Sequence, residues 1–432
     1  MRYFYIQIES LTVLLYTIFT RLYKLALLLA SPFNDKARKW INGRKGVFTY
    51  LEKSIQSSDK VIWMHCASLG EFEQGRPVLE TLKIRYPSYK ILLTFFSPSG
   101  YEVRKNYAGA DWICYLPMDS AYTAKRFLTV THPDLVIFVK YEFWFYYLKK
   151  LKYSNTPLIL ISALFRKDMS FFKWHGALSR KMLTRFNHLF VQNQSSKDLL
   201  IPFGLENKTT VAGDTRFDRV IQVKEQFSPI EAIAHFIGES KVLIAGSTWP
   251  EDEEFLQYAF QQINLTNKVD LKLIIAPHEI NPAHLEKIEA LFENNYCRLS
   301  TYNFSSNQQC QLLLIDNFGM LSKLYHYATI TYVGGGLKKS GTHNTLEAAV
   351  HGKPVLYGPN YKKHTETVGL ANAGGGFPFT SKEELTTTIT QLLTDQNFCK
   401  NSGEQSMQFV YEHKGATEKI LGYIQENRLL TN

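Results

Sequence analysis

The chain has 432 residues and a formal net charge of +10, from 49 lysines and arginines against 39 aspartates and glutamates. Its 29 phenylalanines, 25 tyrosines and 6 tryptophans exclude an intrinsically disordered protein, because they supply far more buriable surface than such a chain contains. The near-average 25 glycines and 15 prolines exclude a collagen-like fibre. At roughly 100–200 residues per domain, the length predicts two or three domains.

Cysteine usage and net charge narrow the class of protein further. The cysteines are scattered along the chain, at Cys66, Cys114, Cys297, Cys310 and Cys399. Their number is odd and no two have the spacing of metal ligands, so the sequence predicts a reduced, cytosolic protein without disulfides or structural zinc. The excess of positive charge indicates an anionic partner: a nucleic acid, a phosphorylated substrate or a membrane surface.

The N-terminal segment favours the membrane among these partners. Residues 11–30 are strongly apolar and predict a helix with one broad apolar face, made of Leu11, Leu14, Leu15, Ile18, Leu22, Leu25 and Leu29. Arg21 interrupts the apolar run, so the longest stretch without a charge is too short for a spanning helix. A basic cluster at residues 36–45 follows, which suits anionic lipid headgroups. We predict an anchor helix that lies at the membrane interface or inserts shallowly; the alternative is a helix buried against its own domain.

After this helix, short apolar runs alternate with longer amphipathic ones. The alternation is typical of βαβ units, which build a parallel sheet flanked by helices. The predicted strands cover residues 61–66, 90–96, 134–139, 158–162, 189–192 and 210–212, and then 241–245, 271–276, 311–316, 330–333 and 354–357. Residues 219–237 show no strand pattern and are expected to link two doubly wound domains, which bind ligands at the carboxyl ends of their strands.

Two acidic residues follow predicted strands in the first half. Glu71 comes after the first strand and before a helix that we expect to start near Pro77. A carboxylate in such a loop can take a proton from a substrate hydroxyl as a general base. The alternative is that Glu71 lies at a helix N-terminus, where the helix dipole favours an acidic side chain. Glu142 follows a later strand, but it is surrounded by aromatic residues, which more often form a core or a lipid-facing surface.

The second half carries a set of candidate ligand-binding residues, most of them just after a predicted strand. They are Ser247, Thr248, Pro277, His278, Gly335, Gly336, Gly341, Thr342, His343, Asn344 and Glu347. Glycines let a ligand approach the backbone, and a helix predicted to start near Asn344 would point free N–H groups at a phosphate. Glu347 could accept hydrogen bonds from ribose hydroxyls. The chain has no P-loop and no dinucleotide-binding glycine motif after its first strand, which disfavours ATPases and dehydrogenases.

A series of motifs runs along nearly the whole chain: HCASLGE at residues 65–71, TFFSPSG at 94–100, LPMD at 116–119, EFW at 142–144, VQ at 191–192, GDTRFD at 213–218, GST at 246–248, PH at 277–278 and GTHNTLE at 341–347. In this combination and order the motifs resemble the bacterial 3-deoxy-D-manno-octulosonic acid (Kdo) transferases, glycosyltransferases of lipopolysaccharide inner-core synthesis.

The resemblance implies a GT-B fold of the α/β class. In this fold two doubly wound Rossmann-like domains face a central cleft, here with an N-terminal membrane-anchor helix. The expected divisions are residues 1–45 for the anchor helix and its basic flank, 46–225 for the acceptor domain and 226–432 for the domain that binds the CMP-sugar. The last helix is a candidate for packing back on the N-terminal domain.

The resemblance also implies a reaction, an inverting and metal-independent transfer of Kdo from CMP-Kdo to a lipid A precursor. Glu71 would be the general base and Glu142 a secondary catalytic residue, supported by Ser68, Gly70 and Arg216. The glycine-rich segment and the other candidates of the second half would bind the donor, with Asn344 at the phosphate and Glu347 at the ribose. No cofactor, metal or nucleic acid is expected, and the enzyme would work at the cytoplasmic face of the inner membrane.

The chain departs from the family pattern at Ala276, where the family has an arginine before Pro-His. Lys338, Lys339 or Lys362 could supply the missing positive charge. Three other functions compete with the resemblance: a GT-B enzyme that uses a UDP-sugar and a lipid acceptor, a nucleic-acid-binding protein, and an inactive membrane-associated scaffold. The basic residues accompany no recognised nucleic-acid-binding motif, which disfavours the second of these.

Overall fold

The computed structural model divides into two compact units. It describes residues 2–265, 270–293, 295–304 and 310–431, and for residues 2–10 it describes the backbone alone. The first unit comprises the chain up to Arg219 and again from Gly415 onward, and the second comprises Val220–Lys414. Each unit is built on a seven-stranded parallel sheet, so both are of the doubly wound α/β class.

The sheet of the first unit has the strand order β3-β2-β1-β4-β5-β6-β7. Its strands are β1 (Lys60–Cys66), β2 (Tyr89–Phe95), β3 (Trp112–Tyr115), β4 (Leu135–Val139), β5 (Leu158–Ala163), β6 (His188–Val191) and β7 (Thr209–Val211). Almost every residue of these strands is buried, because helices cover both faces of a parallel sheet. Strand β3 was not predicted, since only four residues form it and one of them is a tryptophan beside a polar stretch.

The helices of the first unit are α1 (Arg2–Ala30), α2 (Asp35–Asn42), α3 (Val47–Ser54), α4 (Leu69–Arg85), α5 (Pro98–Arg104), α6 (Ala121–Thr131), α7 (Phe145–Tyr153), α8 (Ala177–Leu183), α9 (Gln194–Asp198) and the beginning of α10 (Thr215–Glu225), whose residues from Val220 onward belong to the second unit. The predicted start near Pro77 is wrong for α4, which begins eight residues earlier and contains that proline. The early turns form because they pack tightly on the sheet: a Cβ atom at Gly75 would lie only 2.8 Å from the Met64 sulfur. Glu71 therefore lies in the first helical turn and not in a loop.

The second unit has the strand order β10-β11-β9-β8-β12-β13-β14. The strands are β8 (Lys241–Thr248), β9 (Leu271–Pro277), β10 (Tyr296–Arg298), β11 (Leu312–Leu314), β12 (Ile330–Val333), β13 (Val355–Tyr357) and β14 (Gly376–Pro378). The helices are α11 (Glu231–Ile237), α12 (Pro250–Leu265), α13 (Pro282–Leu291), α14 (Leu321–Leu324), α15 (Leu346–Ala349), α16 (Thr365–Asn372), α17 (Lys382–Thr394) and α18 (Gln396–Glu412). The two outermost strands, β10 and β14, have three residues each and carried no strand pattern in the sequence.

The chain returns to the first unit for its final helix, α19 (Ala416–Glu426). The Asp218 carboxylate accepts hydrogen bonds from the backbone N–H groups of Gly415 and Thr417 and so caps this helix. Arg85 donates to Glu418 at 2.7 Å. The apolar side chains of Ile420, Leu421 and Ile424 complete the core on one face of the first sheet.

Helix α1 exposes its apolar face. All seven residues of the predicted face are exposed, and Leu11–Ala30 is long and apolar enough to cross a membrane by length and composition. The opposite face contacts the first unit: Val13 and Tyr16 pack against its core, and the hydroxyl of Thr17 lies 2.7 Å from that of Tyr146. The alternative of a helix buried against its own domain is therefore wrong for the apolar face.

One basic residue of the flank after α1 is turned away from solvent, and two others are paired with an acid. Arg44 turns inward, where its guanidinium stacks 3.6 Å above the ring of Trp40 and donates hydrogen bonds to the backbone carbonyls of Leu116 and Phe96. Arg38 and Lys39 both pair with Asp35. The charge that this segment can offer to anionic lipids is correspondingly reduced.

Cys297 and Cys310 form a disulfide in the structure, with their Cα atoms 6.2 Å apart. The prediction of a chain without disulfides is therefore wrong at this pair. The sequence carried no signal for it, because the pairing depends on strand β10 lying beside β11 at the edge of the second sheet.

Candidate functional site

In the first unit, Glu71 lies at the junction between strand β1 and helix α4. Its carboxylate reaches back to accept hydrogen bonds from the backbone N–H groups of Ala67 and Ser68, as the third residue of a helix does in a capping box. The side chain of Ser68 makes no cap bond, so of the two reciprocal bonds of a capping box only the one from Glu71 is formed. A Cβ atom at Gly70 would meet nothing within 4 Å, so the space beside Glu71 is open on that side.

The environment of Glu71 gives its carboxyl group a pKa suited to proton transfer near neutral pH. Burial is the main cause of the upward shift, and the nearby charge of Glu142 adds to it. The two backbone hydrogen bonds and the positive charge of Lys140 act in the opposite direction. Together they raise the pKa of Glu71 to about 7, at which a carboxylate is a far better base than a solvated glutamate is.

Glu142 belongs to a hydrogen-bonded cluster with His65 and Trp144. The indole N–H of Trp144 donates to the Glu142 carboxylate at 2.6 Å, and Nε2 of His65 lies 3.0 Å from the same oxygen. On the other side of the imidazole, Nδ1 lies 2.8 Å from the hydroxyl of Thr94. That hydroxyl accepts a hydrogen bond from the indole of Trp63. Nδ1 also lies 3.1 Å from the backbone carbonyl oxygen of Thr94, and the indole nitrogen of Trp144 lies 3.2 Å from Nε2, so both ring nitrogens of His65 have hydrogen-bond partners.

The sheet register brings this cluster together. His65 pairs with Thr94 on β2 on one side and with Phe138 on β4 on the other. Lys140 then takes the left-handed conformation (φ 66°) in the turn after β4, and Glu142 follows it. The sequence reasoning missed His65, Thr94 and Trp144 as site residues. The first two could have been found from their positions at the ends of adjacent strands, within motifs that the resemblance already used.

Arg216, predicted as a supporting residue, forms an ion pair inside the first unit. Its guanidinium contacts the buried Asp214 carboxylate at 2.6 Å, and Asp214 also accepts from the Arg216 backbone N–H. The charges of Arg216 and Lys140 lower the pKa of Asp214 despite its burial. The pair fixes the chain at the start of α10, after β7.

In the second unit, the glycine-rich segment after β12 is held by Asp252. This carboxylate accepts hydrogen bonds from the backbone N–H groups of Gly335 (2.9 Å) and Trp249 (3.0 Å), and from the hydroxyl of Tyr332 (2.7 Å). Asp252 is fully buried, and so are its bonds to Tyr332 and Gly335, so these two donors have no water as a substitute partner. One side chain thus joins the loop after β8 to the loop after β12.

Replacing Asp252 with alanine is expected to destabilise the second unit by about 2–4 kcal/mol, because three donors lose their acceptor and two of them are buried. The measurement is urea denaturation of the full chain. Glu251→Ala is the matched control, since Glu251 lies in the same helical turn but is exposed. Equal stability of the two variants would contradict the role assigned to Asp252.

Stacked rings and one lysine line the same part of the second unit. The rings of Trp249, His278 and His343 lie against one another, with centroids 4.7 Å apart for Trp249 and His278 and 4.4 Å for His278 and His343. Burial lowers the pKa of His278, and it lowers that of His343 to about 4. Both imidazoles are therefore neutral at physiological pH. The Nζ atom of Lys338, by contrast, lies 3.4 Å above the Trp249 ring, where it places a positive charge.

One buried polar atom beside the glycines, Oγ1 of Thr342, has no hydrogen-bond partner among the residues that the structure describes. The side chains of Thr342 and His364 both lie next to the backbone of the glycine-rich segment. A Cβ atom at Gly336 would lie 2.8 Å from Oγ1 of Thr342, and one at Gly341 would lie 2.7 Å from Nε2 of His364. Gly341 also has a left-handed backbone (φ 94°), so a side chain there is disfavoured twice. Unpaired buried polar atoms are uncommon and mark a place where a ligand could bind.

Of the remaining candidate site residues, some are partly exposed and others are buried. Asn344 donates to the carboxylate of Glu347 at 3.0 Å, and both side chains are only half-buried. Thr248 is fully buried and its hydroxyl donates to Glu253, so it supports the loop from within; Pro277 is likewise buried. Ser247 adopts the left-handed conformation (φ 54°) at the end of β8.

The helix predicted to start near Asn344 is only a single turn, α15, and it begins at Leu346. The left-handed Gly352 and the proline at position 354 follow soon after it, and they prevent a longer helix. Phosphate binding at the N-terminus of this helix is therefore less well supported than the sequence suggested. The glycine backbone and the unpaired hydroxyl of Thr342 are the main evidence for ligand binding.

Two parallel, doubly wound sheets define a protein of the GT-B class, and solved structures share this fold. A UDP-GlcNAc 2-epimerase from Neisseria meningitidis is similar over 85% of this chain and 100% of that chain, with a TM-score of 0.59 and 18% sequence identity. A glycosyltransferase from Rickettsia africae is similar over 87% of this chain and 100% of that chain, with a TM-score of 0.55 and 14% identity. At these identities the likeness shows the fold alone.

Sequence comparison assigns the family. The model of the 3-deoxy-D-manno-octulosonic-acid transferase (kdotransferase) family matches residues 41–219. The 3-deoxy-D-manno-octulosonic acid transferase of Aquifex aeolicus is 30% identical over 351 residues, which cover 80% of this chain and 89% of that protein. The chain belongs to the Kdo transferase family, and the resemblance found in the motifs is confirmed.

Proposed function

We propose that this protein is a lipid A Kdo transferase, which moves Kdo from CMP-Kdo to a hydroxyl group of a lipid A precursor with inversion and without a metal ion. The observation that carries the proposal is the buried carboxylate of Glu71, whose pKa is raised to about 7 beside the Glu142–His65 cluster. The family to which the chain belongs supports the same reaction. A UDP-sugar as donor is the less favoured alternative.

The chemistry requires one proton transfer and one displacement. As the acceptor oxygen forms a bond to the anomeric carbon of Kdo, its proton passes to the carboxylate of Glu71. The bond between that carbon and the phosphate oxygen breaks, and CMP leaves with the electron pair. Attack from the face opposite the leaving group inverts the configuration.

The second unit would bind the CMP moiety. The unpaired hydroxyl of Thr342 and the glycine backbone supply a surface that a phosphate can approach. The family pattern has a positively charged arginine before Pro-His, which this chain lacks. Because His278 and His343 are neutral, we propose that Lys338 supplies the positive charge instead. Asn344 would contact the phosphate and Glu347 the ribose hydroxyls.

The exposed apolar face of α1 would hold the protein on the cytoplasmic leaflet of the inner membrane, where CMP-sugars are available. The inner face of the helix supports this arrangement: between Val13 and Tyr23 it packs on a soluble α/β unit, so lipid cannot surround it there. A helix that lies in the membrane interface can place its apolar face in lipid and keep its inner face packed on the first unit.

Mass spectrometry of the product tests the function. Membranes containing the protein, supplied with CMP-Kdo and a lipid A precursor, are expected to yield the precursor plus Kdo, and a metal chelator should not change the yield. CMP should raise the unfolding temperature more than UDP does at equal concentration. Absence of product, or stabilisation by UDP alone, would contradict the proposal.

Charged residues on the apolar face should release the protein from membranes. In the double variant Leu14→Glu/Leu22→Glu, two side chains that are 55% and 58% exposed acquire negative charges. They would repel anionic lipid and reduce the buried apolar surface. We expect most of the variant in the soluble fraction after a high-salt wash, with its unfolding temperature unchanged. Lys53→Glu, at an exposed position of helix α3, controls for the added charge, and retention of the double variant in the membrane would contradict the anchor.

A further inference from the structure

Helix α7, which directly follows the Glu142 segment, does not cap its own N-terminus. Its N-cap residue is Trp144, whose side chain makes no capping bond and is used instead to hold Glu142. The first turn of a helix presents backbone N–H groups that need acceptors from elsewhere. Three such groups are involved here, and no acceptor for them comes from the segment before the helix.

These acceptors come from two distant parts of the chain. The carboxylate of Asp119 accepts from the backbone N–H groups of Tyr146 (2.9 Å) and Tyr147 (3.1 Å). The hydroxyl of Tyr16, on the membrane-facing helix α1, accepts from the backbone N–H of Phe145 at 3.2 Å and donates to Asp119 at 2.6 Å. Tyr16 and Asp119 therefore form one composite cap for α7.

The cap is buried, so water cannot replace its hydrogen bonds when they are lost. Asp119 is 2% exposed and Phe145 is 1% exposed. Burial raises the pKa of Asp119 to about 6, and the bonds from Tyr16 and from the two backbone donors oppose that shift, so the carboxylate is mostly ionised at neutral pH. An ionised carboxylate at a helix N-terminus also interacts favourably with the helix dipole.

We infer that Tyr16 is a positioning residue for the transfer reaction: through the cap of α7, the membrane helix holds the Glu142 segment of residues 140–144 in its place beside His65. The inference rests on the proposed function for its link to the acceptor reaction. A helix that only tethers the protein to lipid needs no such bond. Through this cap, the geometry around Glu142 depends on the correct packing of α1 against the first unit.

Helix α1 offers a matched pair of variants for the test. Tyr16→Phe removes the capping hydroxyl and keeps the ring. Tyr23→Phe removes a hydroxyl from the same inner face, where the Tyr23 ring stacks on Phe96 and its hydroxyl makes no hydrogen bond within the described part of the chain. Neither change alters the exposed apolar face, so membrane association should be the same in both.

Kinetics and hydrogen exchange are measured on the full-length protein in detergent micelles that contain the lipid A precursor, at saturating CMP-Kdo. Tyr16→Phe is expected to lower kcat/KM for the acceptor by about tenfold, with the KM for CMP-Kdo unchanged, and to speed amide exchange at residues 145–147 by about tenfold. Tyr23→Phe should stay within about twofold of the parent in every measurement. Combined with Asp119→Asn, Tyr16→Phe should lose less than the sum of the single effects, because both belong to one cap.

Parental kinetics and parental exchange at residues 145–147 in Tyr16→Phe would overturn the inference, as would equal effects of the two tyrosine variants. The exchange measurement needs no substrate. If the parent protein transfers no Kdo, the proposed function is refuted, and the exchange measurement still tests the cap independently. If Tyr16→Phe does not fold, Thr17→Val replaces it. This variant removes the contact between the Thr17 and Tyr146 hydroxyls, together with the bond of Thr17 to the Val13 carbonyl within α1, and exchange at residues 145–147 must again exceed that of Tyr23→Phe.

Discussion

Turnover of CMP-Kdo should fall by at least ~10²-fold when Glu71 is replaced with glutamine, while CMP binding stays at the parental level. The amide keeps the size of the side chain and can still accept from the Ala67 and Ser68 backbone, but it cannot take a proton. The measurement is kcat at saturating donor, with calorimetry for CMP. Near-parental turnover would remove Glu71 from the mechanism and point to Glu142.

The pH dependence gives a second test of the same carboxylate. With a pKa of about 7, Glu71 is protonated and inactive as a base at lower pH, so parental kcat/KM should fall below about pH 7. Glu142→Gln removes a charge that raises this pKa, and the acidic limb of the profile should therefore move to lower pH. The Glu142 variant should also lose less activity than Glu71→Gln. An unmoved limb would show that the two carboxylates are not coupled.

Stability supplies the folding control for Glu71→Gln. A carboxyl group whose pKa is higher in the folded than in the unfolded state stabilises the fold at low pH, and this contribution is lost as pH rises through the folded value. For Glu71 the loss falls between about pH 4 and pH 7. Glutamine does not titrate. Relative to the parent, the variant should therefore be more stable at pH 8 than at pH 5, as measured by thermal unfolding.

Glu347→Ala is expected to weaken CMP binding by roughly tenfold or more, because a charge-assisted hydrogen bond to a ribose hydroxyl is worth ~1.5–3 kcal/mol. The change also frees Asn344, which now donates to this carboxylate at 3.0 Å. Isothermal calorimetry with CMP provides the affinity.

Two variants separate the causes of that effect. Glu347→Gln keeps an acceptor for Asn344 but removes the charge, so it should fall between the parent and Glu347→Ala. Glu383→Ala is the unrelated control, because Glu383 is an exposed acidic residue in the first turn of α17. Unchanged CMP affinity in Glu347→Ala would exclude the ribose contact.

Much of the architecture was readable from the sequence. Parallel strands buried on both faces must be apolar throughout, so runs such as residues 61–66 and 271–276 stand out between amphipathic helices. The apolar face of α1 was readable for a related reason, since helical periodicity alone determines which residues share a face. The motifs at residues 65–71 and 341–347 were enough to indicate the family.

Other features were decided by tertiary contacts. Helix α4 extends through Pro77 because its first turns pack on the sheet at Gly75, and β10 and β14 exist because a neighbouring strand gives their backbones partners. Neither effect leaves a local pattern in the sequence.

The sequence by itself determined the fold class, the family and the candidate base, because periodicity and short motifs are local properties of the chain. Only the tertiary structure decided what surrounds these residues. The pKa of Glu71 depends on burial and on Glu142, which is 71 residues away in the sequence. The cap of α7 joins Tyr16, Asp119 and Phe145. Hydrogen bonds and charge effects act over a few ångströms of space, and no sequence spacing records which distant residues the fold brings that close.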